Sequence, residues 1–370
     1  MSFDRTEMST KYSSILVIAT RLIGDVLLTT PLVHSLRKAY PTAQIDILVF
    51  DHTAGVLEGN PDLDTVIKIP SRPTKKEYFL IIKNVFRKYD LTVNVQGGDR
   101  PTIYSLFASH NKRVGILHSE RRQEGWKRWL LDAWILLDNI NTHTVIQNLK
   151  LADCLGLERH YQVIPPSPAP FAYEKFIKDQ AITIKKNNVI VLHPVPRFPY
   201  KGWTFEAWSE VIRYLQTTEY QIVLSGGPGQ EEIEYCQRLA TKAKSDKIIS
   251  IAGSTSLAIL AELLSQAKAY IGPDTAVTHL AAASKTKTIV LLGPSNPMKW
   301  GAWPANCALD QGSPWLNTQP RQENDNVVLL QGVGDCVPCY EEGCDRHTQS
   351  LSKCLQAFPA ERVIAELKRL

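Results

Sequence analysis

The segment Tyr270-Ile-Gly-Pro-Asp-Thr-Ala-Val-Thr-His-Leu-Ala-Ala-Ala283 has residue types suited to holding an anion. It reads as a buried strand end, a tight turn, and a helix opening on Asp274 and Thr275. Both side chains carry oxygens that accept the free N–H groups of a helix start. The N–H groups of Thr275, Ala276 and Val277 would converge on one spot, where the helix dipole also favours negative charge. The small residues around it let a diphosphate approach the backbone, and Ala281 to Ala283 let the helix pack tightly on a sheet. Read alone, the same residues also describe an ordinary capped helix.

A second segment asks for the same geometry. Ile15 to Ala19 is a short, unbroken apolar run, as expected of a central parallel strand. Gly24 then allows a sharp loop, and Asp25 stands just before an apolar helix containing Val26, Leu27, Thr30 and Val33. A carboxylate at the end of the first strand lies where open α/β sheets place ligands. A plain N-cap is the alternative for Asp25. No G-x-G-x-x-G follows the strand, so the dinucleotide fingerprint is absent.

These two segments need elements to hold them. Strand-like runs occur at 15–19, 44–50, 66–69 and 91–95, and again at 189–192, 221–224, 248–251, 269–271 and 288–292. Helical patterns lie between most of them, including 32–40, 205–215, 231–244 and 257–266. Alternating strands and helices predict a doubly wound parallel sheet in each half. Ile164-Pro-Pro-Ser-Pro-Ala-Pro170 reads as a stiff, extended linker. The expected organisation is a loose tail (1–14), a first domain (15–164), a linker (165–170), a second domain (171–358) and a last helix (359–370) packing back toward the first domain. Two such domains would face a central cleft, a favoured place for ligands.

The 370 residues suit two domains at roughly 150 residues each. A net charge of +5 favours an acidic partner but falls far short of a dedicated nucleic-acid binder. No apolar run is long enough to span a membrane. Met1 to Ser14 is polar and lacks an apolar signal core, so a cytoplasmic location is expected.

Further along, the motifs resemble a known family. Gly24-Asp25-Val26-Leu27-Leu28-Thr29-Thr30-Pro31 is similar to the opening loop of the family 9 glycosyltransferases, the lipopolysaccharide heptosyltransferases. The match continues in order through His193-Pro194, Lys201-Gly202-Trp203, Ser225-Gly226-Gly227 with Glu231-Glu232, Asp274 to His279, and Leu292-Gly293-Pro294-Ser295-Asn296-Pro297 with Trp300. The layout resembles the heptosyltransferase III branch most. The resemblance implies a GT-B fold, an ADP-heptose donor, and inverting transfer to the inner core of lipopolysaccharide, the lipid A–Kdo/heptose region.

It also implies roles. Asp25 becomes the general base that takes the acceptor hydroxyl proton. Lys201 adds a cation to the helix start at Asp274 to Val277, where charge develops on the departing diphosphate, and His279 adds a hydrogen bond. Preorganised donors of this kind need no essential metal or cofactor. Glu231 or Glu232 would accept from the adenosine ribose, with Glu231 preferred. Gly24, Thr204, Gly226 and Gly227 complete the donor set. On the acceptor side, basic residues crowd 72–88, and Arg113, Arg121, Arg122, Lys127 and Arg128 form a second cluster. Arg100, Arg121 and Arg122 are the expected contacts to acceptor phosphate and carboxylate. Trp126, Trp129, Leu130, Ala133, Trp134 and Leu137 make an apolar stripe at helical spacing. A core helix is the expectation there, with a helix lying on the inner-membrane surface as the alternative.

Cys336, Cys339, Cys344 and Cys354 form C-x2-C-x4-C-x9-C. Four thiols could bind zinc, but the second close pair of a zinc motif is missing. The polar segment Gln311 to Asp335 reads as a loop ahead of them. Three rival functions share the expected architecture. They are a GT-B transferase with another nucleotide sugar, a sugar-nucleotide epimerase, and a non-catalytic binding protein.

Overall fold

The computed structural model describes residues 11–118, 124–180, 182 and 186–370. The chain divides into two compact units. One lies within Met1–Ile164 and also takes in Ala308–Gly312, and the other comprises Pro165–Cys307 and Ser313–Leu370. The boundary falls where the proline-rich segment begins.

The first unit is built on β1 (Ser14–Ile18), β2 (Gln44–Phe50), β3 (Thr65–Ile69), β4 (Tyr89–Asn94), β5 (Ser109–Leu117) and β6 (Ala133–Leu136), in the order β3-β2-β1-β4-β5-β6. Every neighbouring pair is parallel. Ile15 to Ile18 are fully buried, which explains why β1 reads as an unbroken apolar run rather than an alternating one. The chain winds one way from β1 to β3 and the other way from β4 onward. That reversal opens a crevice beyond the carboxyl ends of β1 and β4.

The second unit holds β7 (Val189–Leu192), β8 (Gln221–Leu224), β9 (Ile248–Ser250), β10 (Ala269–Pro273), β11 (Lys287–Leu292), β12 (Arg321–Asn324) and β13 (Val327–Gln331). Their order is β12-β13-β11-β10-β7-β8-β9. Setting β12 aside, it repeats the winding of the first unit, with the reversal between β7 and β10. The core of this unit gathers Ile190, Leu192, Trp208, Val211, Leu215 and Ile271.

Four sequence expectations need correction. The stripe from Trp126 to Leu137 is not one helix. A short helix, Gly125–Leu130, stops at an extended Leu131, and β6 follows. Pairing with the exposed edge of β5 outweighs the helical period there, and Asp132 N–H donates to Arg113 O at 2.9 Å as the strand begins. The segment Gln311 to Asp335 is not a plain loop. It contains β12 and the fully buried β13, joined as an antiparallel hairpin. Gly24 makes no sharp loop but lies inside the helix Ile23–Leu27, where its carbonyl accepts Leu28 N–H at 2.9 Å. The last helix, Ala360–Leu367, buries Val363 and Leu367 in the core of the second unit, beside the helix Phe205–Gln216. The helix was expected to pack back toward the first domain, but its apolar face is used within its own unit.

Candidate functional site

In the second unit three strand ends meet at the reversal point. His193 follows β7, Ser225 and Gly226 follow β8, and Asp274 follows β10. His193 N–H donates to Ile271 O at 2.9 Å, and its Nδ1 lies 3.0 Å from Ser225 Oγ. Burial holds the His193 imidazole down at about 4, despite a bond that favours its charge. It is a neutral spacer between strand ends.

Asp274 is 5 % exposed and does not cap the following helix. That place belongs to the extended Thr275, which makes no side-chain cap bond, so the helix Ala276–Ala283 starts with its N–H groups uncapped by side chains. An α-helix leaves its first N–H groups without intrahelical acceptors. The Asp274 carboxylate is instead drawn to Lys201, with Oδ2 2.7 Å from Nζ, and His279 Nε2 lies 3.8 Å from Oδ1. Burial pushes the Asp274 carboxyl up, but Lys201 and His279 outweigh it and hold the group below its ordinary value. The result is a buried carboxylate holding a lysine beside a helix start.

Tyr270 sets the angle of that start. Its hydroxyl lies 2.9 Å from Thr278 Oγ1, which itself donates to Pro273 O. Strand residues two apart share a face, so the ring lies over Gly272, where a Cβ would stand 2.2 Å from the hydroxyl. Sequence reasoning did not single out Tyr270 or Gly272. The glycine two residues after a tyrosine in an apolar strand was the available signal.

The other expected donor residues are dispersed in role. Lys201 ends the short 3-10 turn Pro199–Lys201. Thr204 caps the helix Phe205–Gln216, its side chain accepting from Ala207 N–H at 3.1 Å. Gly226 is close-packed, since a Cβ there would stand 3.0 Å from Ala252 Cβ. Gly227 N–H donates to Glu232 Oε2 at 2.6 Å, which engages Glu232 in its own turn and leaves the exposed Glu231 at the start of its helix.

In the first unit Asp25 lies within the helix Ile23–Leu27, not at its N-cap, which is Leu22. Its Oδ1 pairs with Arg21 Nε at 2.8 Å, the arginine being 41 % exposed and the aspartate 11 %. The ends of β1 and β4 are tied by Gln96, which accepts from Thr20 Oγ1 at 2.5 Å and donates to Thr20 O at 2.9 Å. The clamp was not foreseen. Arg100 is exposed and donates to Ser71 O at 3.0 Å. Arg121 and Arg122 lie outside the described residues.

The expected basic cluster is partly consumed internally. Lys127 is 2 % exposed, and its amine reaches Asp99 Oδ1 at 2.8 Å, Glu124 Oε1 at 2.8 Å and Gly97 O at 2.6 Å. Arg113 pairs with Asp132 at 3.4 Å, and Arg128 lies 5.0 Å over the Trp134 ring. All seven cysteines are free thiols. Among the described residues no three His, Cys, Asp or Glu side chains assemble as a metal-holding group.

Two units of parallel sheet, one carrying a lysine-paired carboxylate and a helix start at its reversal point, have the build of a two-unit glycosyltransferase. The sequence profile of glycosyltransferase family 9 (heptosyltransferase) matches residues 79–327. The chain belongs to this family and is a glycosyltransferase. It is 29 % identical over 359 residues to lipopolysaccharide heptosyltransferase 3 of Escherichia coli K12, covering 95 % of this chain and 96 % of the relative. Among solved structures, E. coli ADP-heptose lps heptosyltransferase II superposes with a TM-score of 0.71 at 19 % identity, covering 96 % of this chain and 98 % of that one. E. coli heptosyltransferase WaaC with ADP gives 0.70 at 20 %, covering 96 % and 99 %. The fold is that of the GT-B heptosyltransferases.

Proposed function

We propose that this glycosyltransferase moves a heptose from ADP-heptose to the inner core of lipopolysaccharide, in the lipid A–Kdo/heptose region, with inversion at the anomeric carbon. The observation that carries the reading is the Lys201–Asp274 pair beside the helix start at Thr275, Ala276 and Val277. An acceptor hydroxyl attacks the anomeric carbon as the bond to the β-phosphate oxygen breaks. The hydroxyl proton passes to the Asp25 carboxylate. ADP departs with its new charge on phosphate, where Lys201 and the N–H groups of Thr275 to Val277 stabilise it.

Asp274 keeps Lys201 in place without cancelling the backbone donors, and His279 steadies Asp274 from the next turn. Glu231 takes the ribose hydroxyls, with Gly24, Thr204, Gly226 and Gly227 shaping the donor surface. Arg100, Arg121 and Arg122 take acceptor phosphate and carboxylate groups. The enzyme works in the cytoplasm at the inner-membrane surface, where its acceptor is anchored, and nucleic acid is not a partner.

Lysine and helix start together perform the neutralising role that a divalent ion performs elsewhere. Titration calorimetry tests this directly. ADP and ADP-heptose should bind with or without chelator, and more tightly than UDP- or GDP-sugars. Binding abolished by chelator, or no preference for adenine, would overturn the donor assignment.

A further inference from the structure

The helix Lys75–Val85 in the first unit exposes apolar side chains on the face opposite its buried apolar stripe. Its inner stripe, Tyr78, Ile81, Ile82 and Val85, packs into the core with Leu16, Leu48 and Tyr104. Its outer stripe, at the same i, i+3, i+4, i+7 spacing, reads Lys76, Phe79, Leu80 and Lys83. Phe79 is 66 % exposed and Leu80 44 %, and Phe86 just beyond the helix is 52 % exposed. A helix facing only water would place polar residues along that line.

The charge around these side chains has one sign. From residue 72 to 88 six Lys and Arg side chains stand exposed against a single carboxylate, Glu77. That carboxylate is engaged at the helix start, where Thr74 N–H donates to it at 2.7 Å in a capping box. We propose that this face docks on an anionic bilayer surface, with Phe79, Leu80 and Phe86 entering the headgroup boundary and the flanking lysines reaching lipid phosphates. Basic helices with exposed aromatic residues bind in this way, and long lysine stems keep their amines at the interface while their carbons cover apolar surface.

A second copy of this chain is a poorer occupant, because a two-fold contact would set the same cations against each other. Trp129 is more exposed still, at 90 %, but its neighbours are already engaged. Lys127 is held by Asp99 and Glu124, and Arg128 lies over Trp134. The Lys75–Val85 helix joins exposed apolar groups to cations that pair with no carboxylate among the described residues.

The purpose of the surface rests on the proposed lipid-anchored acceptor, but its test does not. Flotation of the full chain with vesicles of phosphatidylethanolamine and phosphatidylglycerol uses neither donor nor lipopolysaccharide. The chain should float with these vesicles, release as salt rises, and stay behind with phosphatidylcholine alone. Phe79→Ser with Leu80→Ser, and separately Lys83→Glu with Lys88→Glu, should each lower partition at least about tenfold. Their circular dichroism spectra and melting temperatures should match the parent, which shows that the fold is kept. A parent chain that does not float, equal binding to neutral vesicles, or variants that partition like the parent would overturn the proposal. So would a parent dimer that the Phe79/Leu80 substitutions convert to monomer, since the patch would then belong to a second copy.

Discussion

Two aspartates stand just beyond central strands, one in each unit, and they are held in different ways. Asp25 follows β1 and pairs with Arg21, four residues earlier and 41 % exposed. Asp274 follows β10 and pairs with Lys201, which comes from 73 residues away and meets a carboxylate side chain only 6 % exposed. The local pair has a partner open to water and can part at little cost, which suits the proton acceptor proposed above. The distant pair is sheltered and fixed before any ligand arrives, which suits the charge-stabilising role proposed for it. A carboxylate after a strand therefore has no single role, and the partner's origin and exposure separate the two.

The largest effect expected from breaking this contrast is at Lys201. Lys201→Ala strands a buried carboxylate, which costs toward 3 kcal/mol when the partner is lost. It should also lower turnover by about 100- to 1,000-fold by removing charge stabilisation. Chemical denaturation and single-turnover assays separate the two losses. Lys201→Met with Asp274→Asn should recover much of the stability and none of the rate. Recovery of both would make the pair merely structural.

Asp25→Asn comes next. Turnover should fall about 100-fold or more, as general-base loss does, with ADP affinity unchanged because the nucleotide is assigned to the second unit. Calorimetry and steady-state kinetics on one preparation decide it. Near-parent turnover would move the base elsewhere.

A pH series sharpens the donor side. His193 is protonated less readily in the fold, near 4, than in the unfolded chain, near its ordinary 6.5. The unfolded state thus binds more protons between those values. The resulting stability is complete above about pH 6.5 and is lost as pH falls toward about 4, by up to about 3 kcal/mol. Asp274, with its folded value depressed, adds a loss on the acid side as pH drops through that value. Thermal melts of the parent and of His193→Gln should differ in slope across the first window. Parallel slopes would mean that the imidazole is not held neutral.

The smallest effect belongs to Arg21. An exposed pair contributes under about 1 kcal/mol, so Arg21→Ala should barely move the melting temperature. Its trace should appear in kcat/KM and in the salt dependence of turnover, because the Asp25 carboxylate loses its tether. A large stability loss would show that the two aspartates are held alike after all.

Much of the frame was legible in advance. The apolar runs of β1, β2, β7, β8 and β10 stand where strand propensity and length place them, because a parallel strand covered on both faces needs little beyond bulk and β-branching. The helix start at Thr275 to Val277 was legible for a similar reason, since small residues after a turn have few other uses. Other parts were not. The Trp126–Leu137 stripe satisfies a helical period, yet β5 offered an open edge and took Ala133–Leu136 as a strand. β13 was hidden inside a polar stretch although it is fully buried. Lys127 looked like a surface cation and is a buried clasp for Gly97, Asp99 and Glu124.

By itself the sequence determined the alternation of strands and helices and the order of its motifs. Each depends on residues close together in the chain. Tertiary structure alone decided which distant partner a charged group meets. Asp274 gives up its capping role to Lys201, and Gln96 joins β4 to Thr20 beside β1. Asp25 turns instead to its own neighbour, Arg21. Coulomb attraction and hydrogen bonding act over a few ångströms of space, with no regard to chain distance, so those choices were settled only when the sheets brought strand ends together.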